Sequence, residues 1–187
     1  MTAAASGTDA GRANLKGLDV DAMTAVAEDG LLDLFARQGW DHEVVEHAAV
    51  FTIEEALAAV PLLDGVKTKN VFMRDGKGLR HLLAIVPHDR RVDMAELARQ
   101  LPATKLSMGS PERLQRHLGV TPGAVSIFAV VNDREHLVEL IIDEAIWAAD
   151  KIQGHPLRNT ATVVMGHASL AAFLAHTGHV PRVMRVP

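Results

Sequence analysis

Apolar and polar positions fall in short blocks along this chain, and the period of each block predicts its element. Leu31, Leu34 and Phe35 form an i, i+3, i+4 stripe, and Gly39 stands where a helix stop belongs. Val44 and Val45 predict a short strand within 41–47. Thr52-Ile53-Glu54-Glu55 reads as a capping box for a helix through Ala59, which Pro61 ends. A strand over 70–74 follows, and Asp75-Gly76-Lys77-Gly78 turns the chain into 80–87. The run Leu82-Leu83-Ala84-Ile85-Val86 is apolar without a break, as burial on both faces requires.

Asp93-Met94-Ala95-Glu96 is a second capping box, with Met94, Leu97, Ala98 and Leu101 on one helical face behind it. Ser110 and Pro111 supply an N-cap and a first-turn proline for a helix to about His117, closed by Gly119. After the Thr121-Pro122-Gly123 turn, 124–131 is again continuously apolar, and 136–143 follows a polar turn. These two runs are expected to pair as an antiparallel hairpin in mid-sheet. A polar loop over 154–159, a strand over 160–165 and a helix over 169–176 complete the chain. Hairpins and helices mix without strict alternation, so the expected fold class is α+β: a mixed, largely antiparallel sheet, partly barrel-like and covered by helices. Residues 1–28 show no sustained period and are expected to form a flexible leader, with 29–187 as one domain.

Composition narrows the function. The 187 residues are 48% apolar, enough for one good core. A net charge of −4 argues against a wholly basic, nucleic-acid-gripping surface. The basic residues nevertheless gather between 67 and 91, as Lys67, Lys69, Arg74, Lys77, Arg80, Arg90 and Arg91, which allows local contact with an acidic ligand. Absence of cysteine excludes disulfides, thiolate nucleophiles and cysteine metal sites. No apolar signal core and no long apolar run exist, so a soluble, cytoplasmic protein with no membrane partner is expected.

Standard catalytic motifs are missing. There is no phosphate-cradling glycine loop, no His-Glu-x-x-His and no Gly-x-Ser-x-Gly elbow. His176 and His179 read as surface histidines separated by a helix-ending Gly178. Asp143 and Glu144 are adjacent on a strand and therefore face opposite sides, which disfavours a working carboxylate pair.

Two segments remain. In Lys67-Thr68-Lys69-Asn70-Val71-Phe72-Met73-Arg74-Asp75-Gly76, the two lysines point to one side of a strand. The bland reading is a solvated strand entrance. In Gly154-His155-Pro156-Leu157-Arg158-Asn159-Thr160, the proline forces His155 into extended backbone and Gly154 permits close approach. The bland reading there is a polar surface loop.

Around these residues the chain resembles the trans-editing prolyl-tRNA deacylases, the YbaK and prolyl-tRNA synthetase insertion-domain superfamily. The branch it most resembles is that of the stand-alone Ala-tRNA(Pro) deacylases. The matching pieces are Lys67–Asp75, Leu106-Ser107-Met108-Gly109-Ser110-Pro111-Glu112-Arg113-Leu114, Leu118–Gly123, Asn132-Asp133 and His155–Thr162, in family order. The resemblance implies hydrolysis of the ester joining a wrong amino acid to proline tRNA. It makes Lys69 the lysine needed for activity, next to Asn70. It implies that His155, with Gly154 and Pro156, lines the aminoacyl pocket, that Gly123 borders it, and that Asn70, Asn159 and Thr160 also bind the substrate. Where the family commonly has Pro-Phe-Gly, this chain has Ile127-Phe128-Ala129, a departure that bears on pocket shape.

No cofactor or metal is implied. The implied partners are the acceptor end of mischarged proline tRNA and prolyl-tRNA synthetase. Lys69 is expected to hold the tRNA end as a positioned charge, not to act as a neutral base. Two alternatives stay open: a Cys-tRNA(Pro) deacylase of the YbaK type, and a non-catalytic module that binds tRNA or the synthetase.

Overall fold

Strand β3 (His81–Pro87) lies between strands on both sides and apolar side chains on both faces, so its residues are almost all buried. The structure, a computed structural model, describes residues 26–49 and 63–187. The helix expected from Thr52 to Ala59 and most of the leader lie outside the described residues.

The order is α1 (Glu28–Gln38), β1 (His42–Glu46), β2 (Val66–Asp75), β3, α2 (Met94–Gln100), β4 (Leu106–Met108) and α3 (Pro111–Leu118). A 3-10 helix (Ile127–Asn132), β5 (Val138–Asp143), α4 (Glu144–Trp147), β6 (Lys151–Gly154), β7 (Ala161–Gly166), α5 (His167–Thr177) and β8 (Arg182–Met184) follow. Sheet order is β1-β7-β6-β2-β3-β5-β8, with β4 alongside the far end of β2. The β1–β7, β6–β7, β2–β3 and β2–β4 pairs are antiparallel, while β2–β6, β3–β5 and β5–β8 are parallel. The expected mixed α+β sheet is therefore present, and it stays open between β1 and β8.

Alternation along the central strands divides the core in two. Phe72, Leu83 and Ile85 face a cluster built with Leu31 and Phe35 of α1, Leu114 and Leu118 of α3, and Leu170 and Phe173 of α5. Val71, Met73, Leu82, Ala84 and Val86 face a second cluster with Leu97 and Ala98 of α2 and Leu101 at its C-terminal cap. Helices on both faces explain why β3 reads as an unbroken apolar run.

Local signals fix most element ends. The Asp93 carboxylate accepts from the amides of Ala95 and Glu96 at the start of α2, and Ser110 Oγ accepts from Arg113 N at the start of α3. Gly39 and Gly178 end α1 and α5 in left-handed conformations. Among the described residues, no helix is long and apolar enough to cross a membrane.

The hairpin expected from 124–131 and 136–143 is corrected. Only the second run is a strand. The first folds as the 3-10 helix, capped by Ser126 Oγ, which accepts from Phe128 N at 3.2 Å. Asp133 then turns the chain by accepting from Leu137 N at 2.9 Å and Val138 N at 2.8 Å. A run buried on every side carries no period that separates strand from helix.

Candidate active site

The two segments singled out in the sequence meet where β2 and β6 run side by side. Their parallel register is Val66 with Ile152 and Lys67 with Gln153. One residue further on, Thr68 Oγ1 donates to the carbonyl of Gln153 at 2.7 Å, immediately before Gly154. Three carbonyls, those of Leu63, Asp64 and Gly65, accept from Gln153 Nε2, each at 3.0 Å. An ion pair between Lys151 and Asp64 at 2.8 Å closes the same junction from outside.

Beyond that junction β6 stops. On its β3 side, β2 is paired from Thr68 to Arg74. On its other side it is paired only at 66–67 by β6 and at 73–75 by β4. Among the described residues, Thr68–Val71 therefore have no strand neighbour on that edge. This slot opens onto the backbone polar groups of Asn70, which a ligand can use, while those of Lys69 point to β3.

Alternation sends the two neighbours to opposite faces of β2. Asn70 shares its face with Thr68 and Phe72, toward the cluster that contains Phe128 and Val163. Its Nδ2 donates to Thr68 Oγ1 at 3.4 Å, while its Oδ1 is buried with no hydrogen-bond partner among the described residues. A buried orphan acceptor is costly unless a donor arrives. Lys69 lies on the face of Lys67, Val71 and Met73, and its ammonium donates to the main-chain carbonyl of Arg90. Lys67 and Lys69 are both half-buried, so the fully solvated strand entrance is not what forms.

His155 leaves the end of β6 with its Nδ1 donating to the Ala161 carbonyl at 2.9 Å. A carbonyl only accepts, so Nδ1 carries the proton and Nε2 of the neutral ring presents a lone pair. Burial pushes the His155 pKa down; the Ala161 bond opposes this, and nearby His47 adds to it. His47 lies with its ring 6.2 Å from that of His155 and bonds Thr162 Oγ1 at 3.0 Å.

The rest of the loop is held from several sides. Pro156 is buried. Leu157 adopts φ 66°, a left-handed conformation unusual for a residue with a side chain, and packs against the first cluster. Arg158 bonds Thr160 Oγ1 and Glu46, and the Thr160 carbonyl accepts from His47 N at 2.9 Å. Asn159 lies in the same loop.

Gly154 sits against the 3-10 helix. A Cβ there would lie 3.1 Å from the Phe128 ring and 3.3 Å from Ser126 Oγ, so any larger residue forces that wall outward. Gly123, with φ 93°, is exposed in the turn that leads into the helix. Ile127-Phe128-Ala129 consequently stands at the wall of the slot.

Sequence reasoning missed Thr68, Ser126, His47 and the Arg90 carbonyl. Only Thr68 was near a motif; His47 joins through the β1–β7 register, and no local signal marks it. His179 is also corrected: it is buried, not a surface residue, and bonds Asp133 Oδ2 at 3.3 Å. Among the described residues, no group of three or more His, Asp and Glu side chains could hold a metal ion.

The lone pair of His155 gives a first expectation. The acid limb of the rate profile for the reaction proposed below should have its midpoint below pH 6.5, since the folded pKa is depressed from that value. Neutral His155 is then the working form, and activity falls as acid protonates it. A midpoint at or above 6.5, or an unchanged limb in His155→Gln, would contradict this assignment.

Comparison with known proteins identifies the family. The profile of the aminoacyl-tRNA editing domain family matches residues 47–173. The prolyl-tRNA editing protein ProX of Acetoanaerobium sticklandii is 36% identical over 140 residues, covering 74% of this chain and 85% of that protein. The prolyl-tRNA synthetase associated domain-containing protein 1 of Danio rerio is 37% identical over 142 residues, covering 75% and 77%. A solved structure described as a candidate trans-editing enzyme for prolyl tRNA synthetase superposes with a TM-score of 0.61 at 22% identity, covering 84% of this chain and 92% of that one. The chain belongs to the aminoacyl-tRNA editing domain family.

Proposed function

We propose that this chain hydrolyses the ester bond of mischarged proline tRNA, with alanine as the amino acid it removes. The observation that carries the reading is the junction of β2 with β6, where Thr68 and Gln153 bond at 2.7 Å and unite the lysine and histidine segments beside an open strand edge. The name of the ProX relative supports a prolyl-tRNA substrate, and that of the Danio rerio relative supports an association with prolyl-tRNA synthetase.

In this mechanism water attacks the ester carbonyl carbon, and the bond to the ribose oxygen breaks. That oxygen takes a proton and leaves as the terminal hydroxyl, while the amino acid departs with the oxygen of water. An aminoacyl ester is already activated, so orientation and charge stabilisation can supply most of the catalysis. Lys69 has N–H groups beyond the one given to Arg90, and these hold the anionic tRNA end. Neutral His155 accepts a hydrogen bond through Nε2, from the attacking water or the neighbouring ribose hydroxyl. Asn70 Oδ1, buried without a donor among the described residues, receives an N–H of the amino acid.

Size sets the choice. A synthetase site shaped for proline rejects smaller alanine by only about 1–3 kcal/mol, so a second, tighter site is needed to remove the error. The close approach of Phe128 and Ser126 to Gly154 supports a site of that kind here. Single-turnover deacylation of Ala-, Cys-, Ser- and Pro-tRNA(Pro) tests the reading. The alanyl ester should be cleaved at least about a hundredfold faster than the prolyl ester, as a steric sieve requires. Equal rates would refute the sieve, and a faster cysteinyl ester would assign the chain to the cysteine-clearing type. Release of no amino acid from any of the four would leave a binding module.

A further inference from the structure

The ammonium of Lys69 rests on a main-chain carbonyl, and that carbonyl belongs to a residue whose side chain is itself anchored. Arg90 Nη1 donates to Asp143 Oδ2 at 3.0 Å. The Asp143 side chain is 1% exposed, whereas that of Arg90 is 42% exposed. The same carboxylate accepts from Ala145 N at 2.9 Å and from Val186 N at 2.9 Å. It thus ties the start of α4, the C-terminal segment and the turn after β3 to one buried point.

The turn itself is short. Arg90 N donates to the Pro87 carbonyl at 3.0 Å, and His88 N donates to the Lys67 carbonyl at 3.0 Å. These bonds fix where the chain leaves β3; the guanidinium on Asp143 fixes the far side of Arg90. Between them the Arg90 carbonyl is aimed at Lys69. A lysine side chain otherwise samples many rotamers, and an ammonium that holds a ligand must be held first.

We propose that Arg90 and Asp143 are positioning residues for Lys69, acting through the Arg90 carbonyl. The proposal rests on the assignment of Lys69 as the residue that holds the tRNA end. Asp143 does this from the same end of the parallel β3–β5 pair, one residue beyond the pairing of Ile85 with Ile142. Arg90→Ala removes the guanidinium anchor and leaves the carbonyl in a turn free to move. Arg90→Lys keeps a cation that can reach Asp143.

The test is a double-mutant cycle on the full chain, read by single-turnover hydrolysis of Ala-tRNA(Pro). Arg90→Ala should lower the rate constant about tenfold with little change in half-saturation, and Arg90→Lys should restore part of it. In the Lys69→Ala background, Arg90→Ala should have no further effect, since the group it positions is gone. Arg99→Ala, which breaks the exposed Arg99–Glu96 pair on α2, serves as the control and should leave the rate unchanged. An Arg90→Ala rate equal to wild type, or the same tenfold loss in both backgrounds, overturns the positioning role while Lys69 stands. Full activity in Lys69→Ala overturns the Lys69 assignment and the positioning role with it. Asp143→Asn is a second arm: circular dichroism checks its fold, and loss of rate in a folded variant supports the proposal.

Discussion

Replacing Lys69 with alanine is expected to lower single-turnover hydrolysis of Ala-tRNA(Pro) by about a hundredfold or more, on the scale of removing one preorganised charge-stabilising donor. The loss should fall on the chemical step, because the tRNA retains its other contacts. Lys69→Arg should recover little. The guanidinium is planar and wider, and it cannot place one N–H on the Arg90 carbonyl while presenting others from the same point. The strand should survive both changes, since Val71, Phe72 and Met73 supply its buried contacts. Near-normal hydrolysis by Lys69→Arg would show that charge alone is needed, not its placement.

Replacing Asp133 with alanine should have the largest effect on stability. Its carboxylate is buried and accepts from Leu137 N, Val138 N and His179. Alanine leaves all three donors without it, a loss of about 3 kcal/mol or more by analogy with other broken buried pairs. For a chain of this length that corresponds to a fall in Tm of roughly 6–12 °C. Burial alone pushes the Asp133 carboxyl up, but His179 and the two amides outweigh it and hold the pKa below 3.8. A depressed carboxyl contributes stability that is present above its unfolded value and lost as pH falls through the folded one. The gap between wild type and variant should therefore stay constant from neutral pH to about 4, then narrow in stronger acid. Urea unfolding at several pH values reads it, and a gap that widens in acid would reverse the sign.

These two residues also show what was legible in the chain. Lys69 could be singled out because its neighbours form a motif continuous in sequence. The bonds of Asp133 could not, because His179 lies far along the chain and was read as solvated from its place after a helix stop. Helix ends were readable wherever one residue does the work, as Asp93, Ser110, Gly39 and Gly178 do. The 3-10 helix was not, since Ile127–Val130 are buried on every side and carry no period. Strand β6 was hidden for a related reason: four residues beginning with Lys151 are too short to alternate visibly. The slot itself is a property of register, set by which residues of β2 lack a partner. Register between segments some eighty residues apart has no local signature.

The β2–β6 seam has a consequence for how such a site can diversify. Two registered residue pairs join the β1-β7-β6 half of the sheet to the half centred on β3, reinforced by the staples from Gln153 and Lys151. The width of the slot is accordingly set in part at a seam whose own side chains lie outside it. Lengthening or loosening the segment that carries the Asp64–Lys151 clasp is expected to shift Gly154 and His155 relative to Asn70. Members of one family could in that way exchange one small amino acid for another while every residue lining the slot stayed the same.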